Sequence, residues 1–203
     1  MLGELRAGLA FLRHEPVARA LLLVNTAFLG ANAGLTALLV PYGITVLGGS
    51  AQIGLVMSAL GVGFLLGAPL MRVLVDRTPP AYLLGGALAV TGAGYALLFS
   101  ATTLATALPA AVLLGATGSI ALGAVATTLQ RLTPNRVLGR IGSAMFTCEA
   151  AATLTGAIAG PAIAQALDAT RTAYLAAALT VLTGLLSMAL LPRYVAARSP
   201  AAH

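Results

Sequence analysis

The sequence contains little charge: aspartate, glutamate, lysine and arginine together make up 8% of its 203 residues. A soluble globular domain contains about 25% charged residues, because its water-facing surface requires them. With 59% hydrophobic residues and a mean hydropathy of +0.98, this chain cannot cover such a surface. The shortage of charge therefore excludes an ordinary soluble domain and predicts a protein that is surrounded by membrane lipid.

Lysine is absent, and cysteine and histidine are scarce. The eleven arginines give a net charge of +6, but they are scattered in small groups, whereas nucleic-acid-binding proteins cluster them on one face. The single cysteine, Cys148, excludes an internal disulfide and a cysteine-rich metal site. His14 and His203 lie near the ends of the chain, where neither can pair with Cys148 in a buried site. We therefore predict no nucleic-acid partner, no metal and no other cofactor.

Sequence signatures of enzymes are also missing. The chain contains neither the H-E-x-x-H zinc motif nor the G-x-x-x-x-G-K-S/T loop that binds ATP. We therefore predict that the protein is not an enzyme. Without a nucleotide site, any transport that it performs would be driven by an ion gradient or be facilitated.

Six apolar runs are each long enough, at about 20 residues, to cross a membrane as a helix. Short breaks of turn-forming or charged residues separate them. We therefore predict an all-α membrane protein with a six-helix bundle over residues 17–192. The predicted spans are 17–42, 51–74, 81–100, 108–129, 141–167 and 172–191.

The segments outside the bundle have their own patterns. The leucines of "MLGELRAGLAFLRHE" recur at helical spacing, which predicts an amphipathic interfacial helix over residues 1–16. A competing interpretation is a signal peptide with its apolar core at 21–30, but Glu4 and Glu15 in its long leading region argue against it. Residues 193–203 are predicted to form a tail.

The arginines fall on alternate sides of the predicted spans. Three lie before or at the start of the first span, two at or after the end of the second, three follow the fourth and two follow the sixth, so that only Arg171 lies on the other side. Cytoplasmic loops of membrane proteins carry the excess of basic residues. This asymmetry predicts a multi-pass protein of the inner (plasma) membrane with both termini in the cytoplasm.

An internal repeat is visible when the sequence is shifted by 93 positions. Gly63 and Gly67 then align with Gly156 and Gly160, and with a shift of 92 the segment 81–92 matches 173–184 at five of twelve positions. The repeats, about 17–100 and 108–191, hold three spans each, so the second is inverted in the membrane as in secondary transporters. We predict that the four glycines form close-packing helix surfaces; an alternative is an interface that slides during transport.

The chain resembles the C-terminal six-helix half of a major facilitator superfamily transporter, of the drug- or siderophore-exporter kind. The resemblance is carried by "GELRAGLAFLRHEP" before the first span, "GAPLMRVLVDR" after the second, and "TTLQRLTPNRVLGRIGS" after the fourth. It departs from the family where Asp76-Arg77 continues as Thr-Pro-Pro. "GAIAGPAI" at 156–163 is similar to the end of the family's antiporter motif, but Thr147 stands where that motif has glycine.

The resemblance implies export of a small hydrophobic or amphiphilic molecule, driven by an ion gradient. Family members usually have two six-helix halves, so a half-length chain implies a second half as partner, either another copy or a separate chain. The alternative is a truncated or non-transporting membrane protein that acts as a scaffold or regulatory subunit.

Glu149 is the strongest candidate functional residue. It lies nine positions after Arg140, about 13 Å along a helix, which places it inside the hydrocarbon. A carboxylate there costs roughly 3 kcal/mol, so such acids usually face a partner, a cavity or a proton route. We predict that Glu149 carries a proton during transport; the alternative is a hydrogen bond that only holds two helices together.

Asn25 and Asn32 lie seven positions apart and therefore share one face of the first span. The resemblance makes the first and fourth spans line the transport path, which adds Thr36, Thr128 and Gln130 to that lining. The alternative is hydrogen bonding between helices.

Charged residues that follow the second and fourth spans form a further candidate site. The resemblance implies a cytoplasmic gate in which Asp76 caps a helix of the opposite half; the alternative is a cluster of loop charges. The residues of this predicted gate are Arg72, Asp76, Arg77, Arg136 and Arg140.

We predict that the segments around Asp76 and Arg136 face the cytoplasm. Single cysteines introduced there, in a Cys148→Ser background, should react with a membrane-impermeant maleimide only after the cells are permeabilised. A cysteine in place of Ser50, in a break without arginines, is the control and should react in intact cells. Labelling of the Asp76 or Arg136 segment in intact cells would contradict this topology.

Overall fold

In a computed structural model the chain forms six helices, and the structure describes residues 16–133 and 135–196. Each helix is long and apolar enough to cross a membrane, and these residues contain no β-strand. The predicted all-α fold with six membrane-spanning helices is confirmed. The helices are α1 (Pro16–Thr45), α2 (Ser50–Val75), α3 (Pro80–Ser100), α4 (Leu104–Leu132), α5 (Asn135–Leu167) and α6 (Ala169–Ala196).

Two of the predicted segments lie mainly outside the described residues. The interfacial helix predicted for 1–16 contributes only Pro16, which begins α1. The tail predicted for 193–203 is described as far as Ala196, where α6 ends. The predicted six-helix bundle is therefore the part of the chain on which the structure reports.

The helices alternate in direction, so their connecting turns fall on two sides of the bundle. One side, named here the arginine side, holds the start of α1, the end of α6 and the turns after α2 and α4. The other, named the far side, holds the turns after α1, α3 and α5.

Residues suited to reversing the chain occupy the turns. Gly48 and Gly49 have φ values of 97° and 141°, which glycine adopts at no steric cost. Pro80 begins α3, where its missing N–H is not needed. Asp168 alone separates α5 from α6, with φ 76°, and its Oδ1 accepts the backbone N–H of Arg171 at 2.8 Å. This hydrogen bond caps the start of α6.

Most of the segment between the predicted fourth and fifth spans, 130–140, is helical, so the predicted break is longer than the one in the structure. α4 continues to Leu132 and α5 begins at Asn135, so Arg136 and Arg140 lie in the first turns of α5. Thr133 is extended, with φ −106° and ψ 123°, because a residue before proline is disfavoured in the helical region. The break between the helices is therefore only two residues long.

Three helix pairs make the most extensive contacts: α1 with α5, α2 with α4, and α3 with α6. In addition, α1 packs on α6 and α4 packs on α3. If α1, α2 and α3 correspond to α4, α5 and α6, each of these contacts has a counterpart in the same set; for example, α1 with α5 corresponds to α4 with α2. Two inverted repeats require this symmetry. α2 and α5 lie on the outside of the bundle: α5 is the least buried span and α2 the next.

The α3–α6 contact shows the repeat at the level of single residues. Gly85 lies against Gly184, and Gly92 lies against Ala177. A shift of 92 positions converts one contact into the other, because Gly85 then corresponds to Ala177 and Gly92 to Gly184. The same shift relates the two similar segments in the sequence.

A shift of 93 does not describe the contacts of α1 and α4. Gly156 lies against Gly30 in α1, whereas its counterpart Gly63 lies against Val112 in α4. The shift would pair Gly30 with Gly123, which stands eleven positions after Val112. Helices rich in glycine and alanine offer several positions for close approach, so matching of sequences alone does not select the one that the fold uses.

Two hydrophobic clusters follow each other across the membrane. One, towards the arginine side, includes Leu21, Leu84 and Leu129, and the other, towards the far side, includes Leu35 and Leu98.

We predict that Gly63→Ala destabilises the protein by about 1–3 kcal/mol, the usual cost of overpacking. A methyl group at Gly63 would collide with the Val112 carbonyl group and force α2 away from α4. Gly61→Ala is the matched control, because a methyl group there meets no atom within 4 Å. Thermal unfolding in detergent should show a lower Tm for the first variant only; equal effects of both would contradict the close contact.

Candidate functional site

The side chain of Glu149 is hydrogen-bonded to that of Asn25. Glu149 lies on α5 two turns before Gly156, and the contact of Gly156 with Gly30 holds α5 against α1. The half-buried carboxyl therefore reaches Asn25, whose Nδ2 donates to Glu149 Oε1 at 2.5 Å. Asn25 is only 4% exposed. This hydrogen bond offsets part of the free-energy cost of placing a carboxyl group in lipid.

The position of Glu149 along its helix places it within the hydrocarbon. It lies eight residues inside the apolar span Ile141–Leu167. At 1.5 Å per residue, this is about 12 Å from the end of the span. The hydrocarbon of a bilayer is about 30 Å thick, so the carboxyl lies within it, in the half nearer the arginine side.

The Asn25 amide can serve both protonation states of the carboxyl group. Its Oδ1 is buried and has no hydrogen-bond partner in the described part of the chain. An ionised carboxylate can only accept hydrogen bonds, whereas a protonated one also donates. Nδ2 therefore suits either form of Glu149, and Oδ1 is a free acceptor for the protonated form. The pair can gain or lose a proton without separating.

Asn32, two turns after Asn25, is bonded to a different helix. The hydroxyl of Tyr95 on α3 donates to Asn32 Oδ1, and Tyr95 is buried. Thr36, one turn further along α1, is exposed and adjoins the Tyr95 hydroxyl. The two asparagines share a face of α1, but each joins it to a separate neighbour, as the hydrogen-bonding alternative requires.

The structure places the two remaining lining candidates apart from this pair. Thr128 is buried on α4, and its hydroxyl donates to the Ala124 carbonyl of the same helix at 2.6 Å. Gln130 is exposed near the arginine-side end of α4. No hydrogen bond in the described residues connects either of them with Glu149 or Asn25.

Asp76, in the predicted gate, forms an ion pair within this bundle. Arg131, in the last turn of α4, donates to Asp76 Oδ1 at 2.9 Å, and so ties the end of α2 to the end of α4. Arg72 and Arg77 are exposed on the same side. Both partners of the pair are exposed, so it contributes at most about 1 kcal/mol. The side chains of Arg136 and Arg140 lie outside the described residues.

Two residues in these contacts, Tyr95 and Arg131, were not predicted as site residues. Their partners are 63 and 55 positions away in the sequence, so only the packing of α3 on α1 and of α4 on α2 identifies them. Residues 16–133 and 135–196 hold no group of three His, Cys, Asp or Glu side chains that is placed to bind a metal ion.

The sequence of the bundle matches a known protein family. The family model described as Major Facilitator Superfamily matches residues 21–202, nearly the whole of the six-helix bundle. The chain belongs to the major facilitator superfamily. It is a multi-pass membrane protein and a membrane transporter of the major facilitator type, as the sequence motifs predicted. No curated protein matches the chain.

We predict that Asn25→Leu destabilises this facilitator by about 1–3 kcal/mol, because it leaves the Glu149 carboxyl without its donor. The double variant Asn25→Leu, Glu149→Leu should recover most of that loss, since removal of both partners of a buried hydrogen bond is nearly neutral. Free energies of unfolding, measured in bicelles, test this. Additive losses in the double variant would contradict a direct bond between the two side chains.

Proposed function

We propose that this six-helix bundle is one half of an ion-gradient-driven exporter, and that Glu149 carries the coupling proton. The observation that carries this proposal is a single carboxyl group, deep in a spanning helix, bonded across a helix contact to a buried amide. Of the five acids in the sequence, only Glu149 lies within a predicted span. Because an acid inside the membrane is energetically costly, its presence in a transporter supports a functional role such as a proton relay.

The geometry of the pair supports a role in coupling. When Glu149 is ionised, Asn25 Nδ2 stabilises the charge; when it is protonated, Asn25 Oδ1 can accept a hydrogen bond from its O–H group. Loss of the negative charge weakens the hydrogen bond from Nδ2, because charge-assisted bonds are roughly twice as strong as neutral ones. Protonation would thus change the strength of the contact between α5 and α1, and in this way couple the proton to helix movement.

A second six-helix body is expected to complete the transport path. α2 packs mainly on α4, and α5 packs mainly on α1, so both leave much of their surface outside the bundle. The two helices occupy equivalent positions in the inverted repeat. Each therefore has an outer surface that the bundle leaves uncovered. We propose that a second body covers them, and that the path runs between the two bodies beside α1 and α4.

The finer features of the transporter are also proposals. The motifs that resemble drug and siderophore exporters support export of a small hydrophobic or amphiphilic molecule and a position as the C-terminal half. The arginine asymmetry supports termini in the cytoplasm and a location in the plasma membrane. Arg72, Arg77 and the Asp76–Arg131 ion pair lie on the arginine side, where a cytoplasmic gate would open and close.

Two substitutions at Glu149 test the proton role. Glu149→Gln keeps the shape and the hydrogen bond to Asn25 but removes the exchangeable proton. We expect it to fold normally and to lose gradient-driven efflux of ethidium from vesicles by at least tenfold. Glu149→Leu also removes the hydrogen bond and should lower the Tm as well.

The outcomes separate the proton role from a structural one. A purely structural hydrogen bond predicts that the Gln variant exports ethidium normally and that only the Leu variant is impaired. Absence of export by the wild-type chain, tested alone and with a second six-helix body, would instead support a scaffold or regulatory role.

A further inference from the structure

A groove on the outside of the bundle opens between α5 and α6. These two helices touch little, because each packs on α1, and α1 forms the floor of the gap. The groove encloses about 490 Å³. Gly30 and Gly34 lie on its floor, and Ala159, Ile163, Ala176 and Leu179 line its walls. Since both walls are spanning helices, the groove opens sideways into the membrane.

The length of the groove matches one leaflet of a bilayer. Its lining on α5 runs from Ala152 to Ile163, eleven residues or about 16 Å. Half of the hydrocarbon of a bilayer is about 15 Å thick. The groove begins near the turn between α5 and α6 on the far side and ends near the level of Thr26, close to the middle of the membrane. An acyl chain of one leaflet has this direction and this length.

A basic residue, Arg171, lies next to the far-side end of the groove. Arg171 precedes Thr172, which lines the mouth, and its side chain is 78% exposed. Among the arginines of the described residues it is the one that lies on the far side, so the rule that places basic residues on the arginine side does not account for it. Asp168 holds it by an exposed ion pair of 3.3 Å, which leaves its other N–H groups free for a phosphate.

We propose that this groove binds a phospholipid of the far-side leaflet, with one acyl chain between α5 and α6 and its phosphate at Arg171. The lining is mostly apolar, which favours an acyl chain over a polar ligand in the groove itself. The ion pair at the mouth complements a zwitterionic headgroup, whose phosphate meets Arg171 and whose ammonium group meets Asp168. The bound chain would fill the gap that α5 and α6 leave, and so stabilise α5 against α1.

Native mass spectrometry of the purified chain tests the site with two probes that have the same acyl chains. Dioleoyl phosphatidylethanolamine has the phosphate, and dioleoylglycerol lacks it. Wild type should retain one phosphatidylethanolamine and bind dioleoylglycerol several-fold more weakly. Ala176→Phe fills the groove and should weaken retention at least tenfold. Ala178→Phe places the same side chain on an exposed part of α6 outside the groove, and should behave as wild type.

Arg171→Gln tests the headgroup contact without changing the groove. We expect it to bind phosphatidylethanolamine about as weakly as wild type binds dioleoylglycerol, whereas Arg77→Gln, on the arginine side, should have no effect. The Arg171→Gln result decides the proposal if Ala176→Phe fails to fold, since Arg171 is exposed. Equal retention by Ala176→Phe and wild type, equal binding of both probes, or a lipid-free dimer that Ala176→Phe abolishes would each overturn it.

Discussion

Close contact between helix backbones within the membrane is the constraint on which the rest of this structure depends. Lipid is as apolar as leucine, so helices in a bilayer gain little from hydrophobic burial and associate where small residues allow close packing. In this chain, Gly156 meets Gly30, Gly63 meets Val112 and Gly85 meets Gly184. These contacts set which helices are neighbours, and the polar contacts follow from them.

The hydrogen bond between Glu149 and Asn25 shows this dependence most clearly. The two residues stand 124 positions apart in the sequence, and the contact of α5 with α1 brings them together. The same packing leaves α5 uncovered on its outer side, where it meets α6 only weakly. The helix that carries the intramembrane carboxyl, α5, therefore contacts its bundle mainly through α1. This limited contact suits a helix that moves during transport.

Much of the fold was predictable from the sequence, because the requirement for apolar runs of membrane length acts on every residue of a span. Glu149 and Asn25 were predictable one by one, since an acid or an amide inside an apolar run is rare. Their pairing was not, because it depends on the distance between two helices that no local pattern reports. The start of α5 was also missed: the predicted fifth span begins at 141, whereas α5 begins at Asn135.

The central claim is that Glu149 exchanges a proton within its hydrogen-bonded pair. Difference infrared spectroscopy of the reconstituted protein, recorded while the pH is changed, observes this carboxyl directly. We expect a carboxylic-acid C=O band that is missing in Glu149→Gln and shifted in frequency in Asn25→Leu, where its hydrogen-bond partner is lost. A difference spectrum of Glu149→Gln that is identical to that of wild type would show that Glu149 exchanges no proton, and would contradict the account.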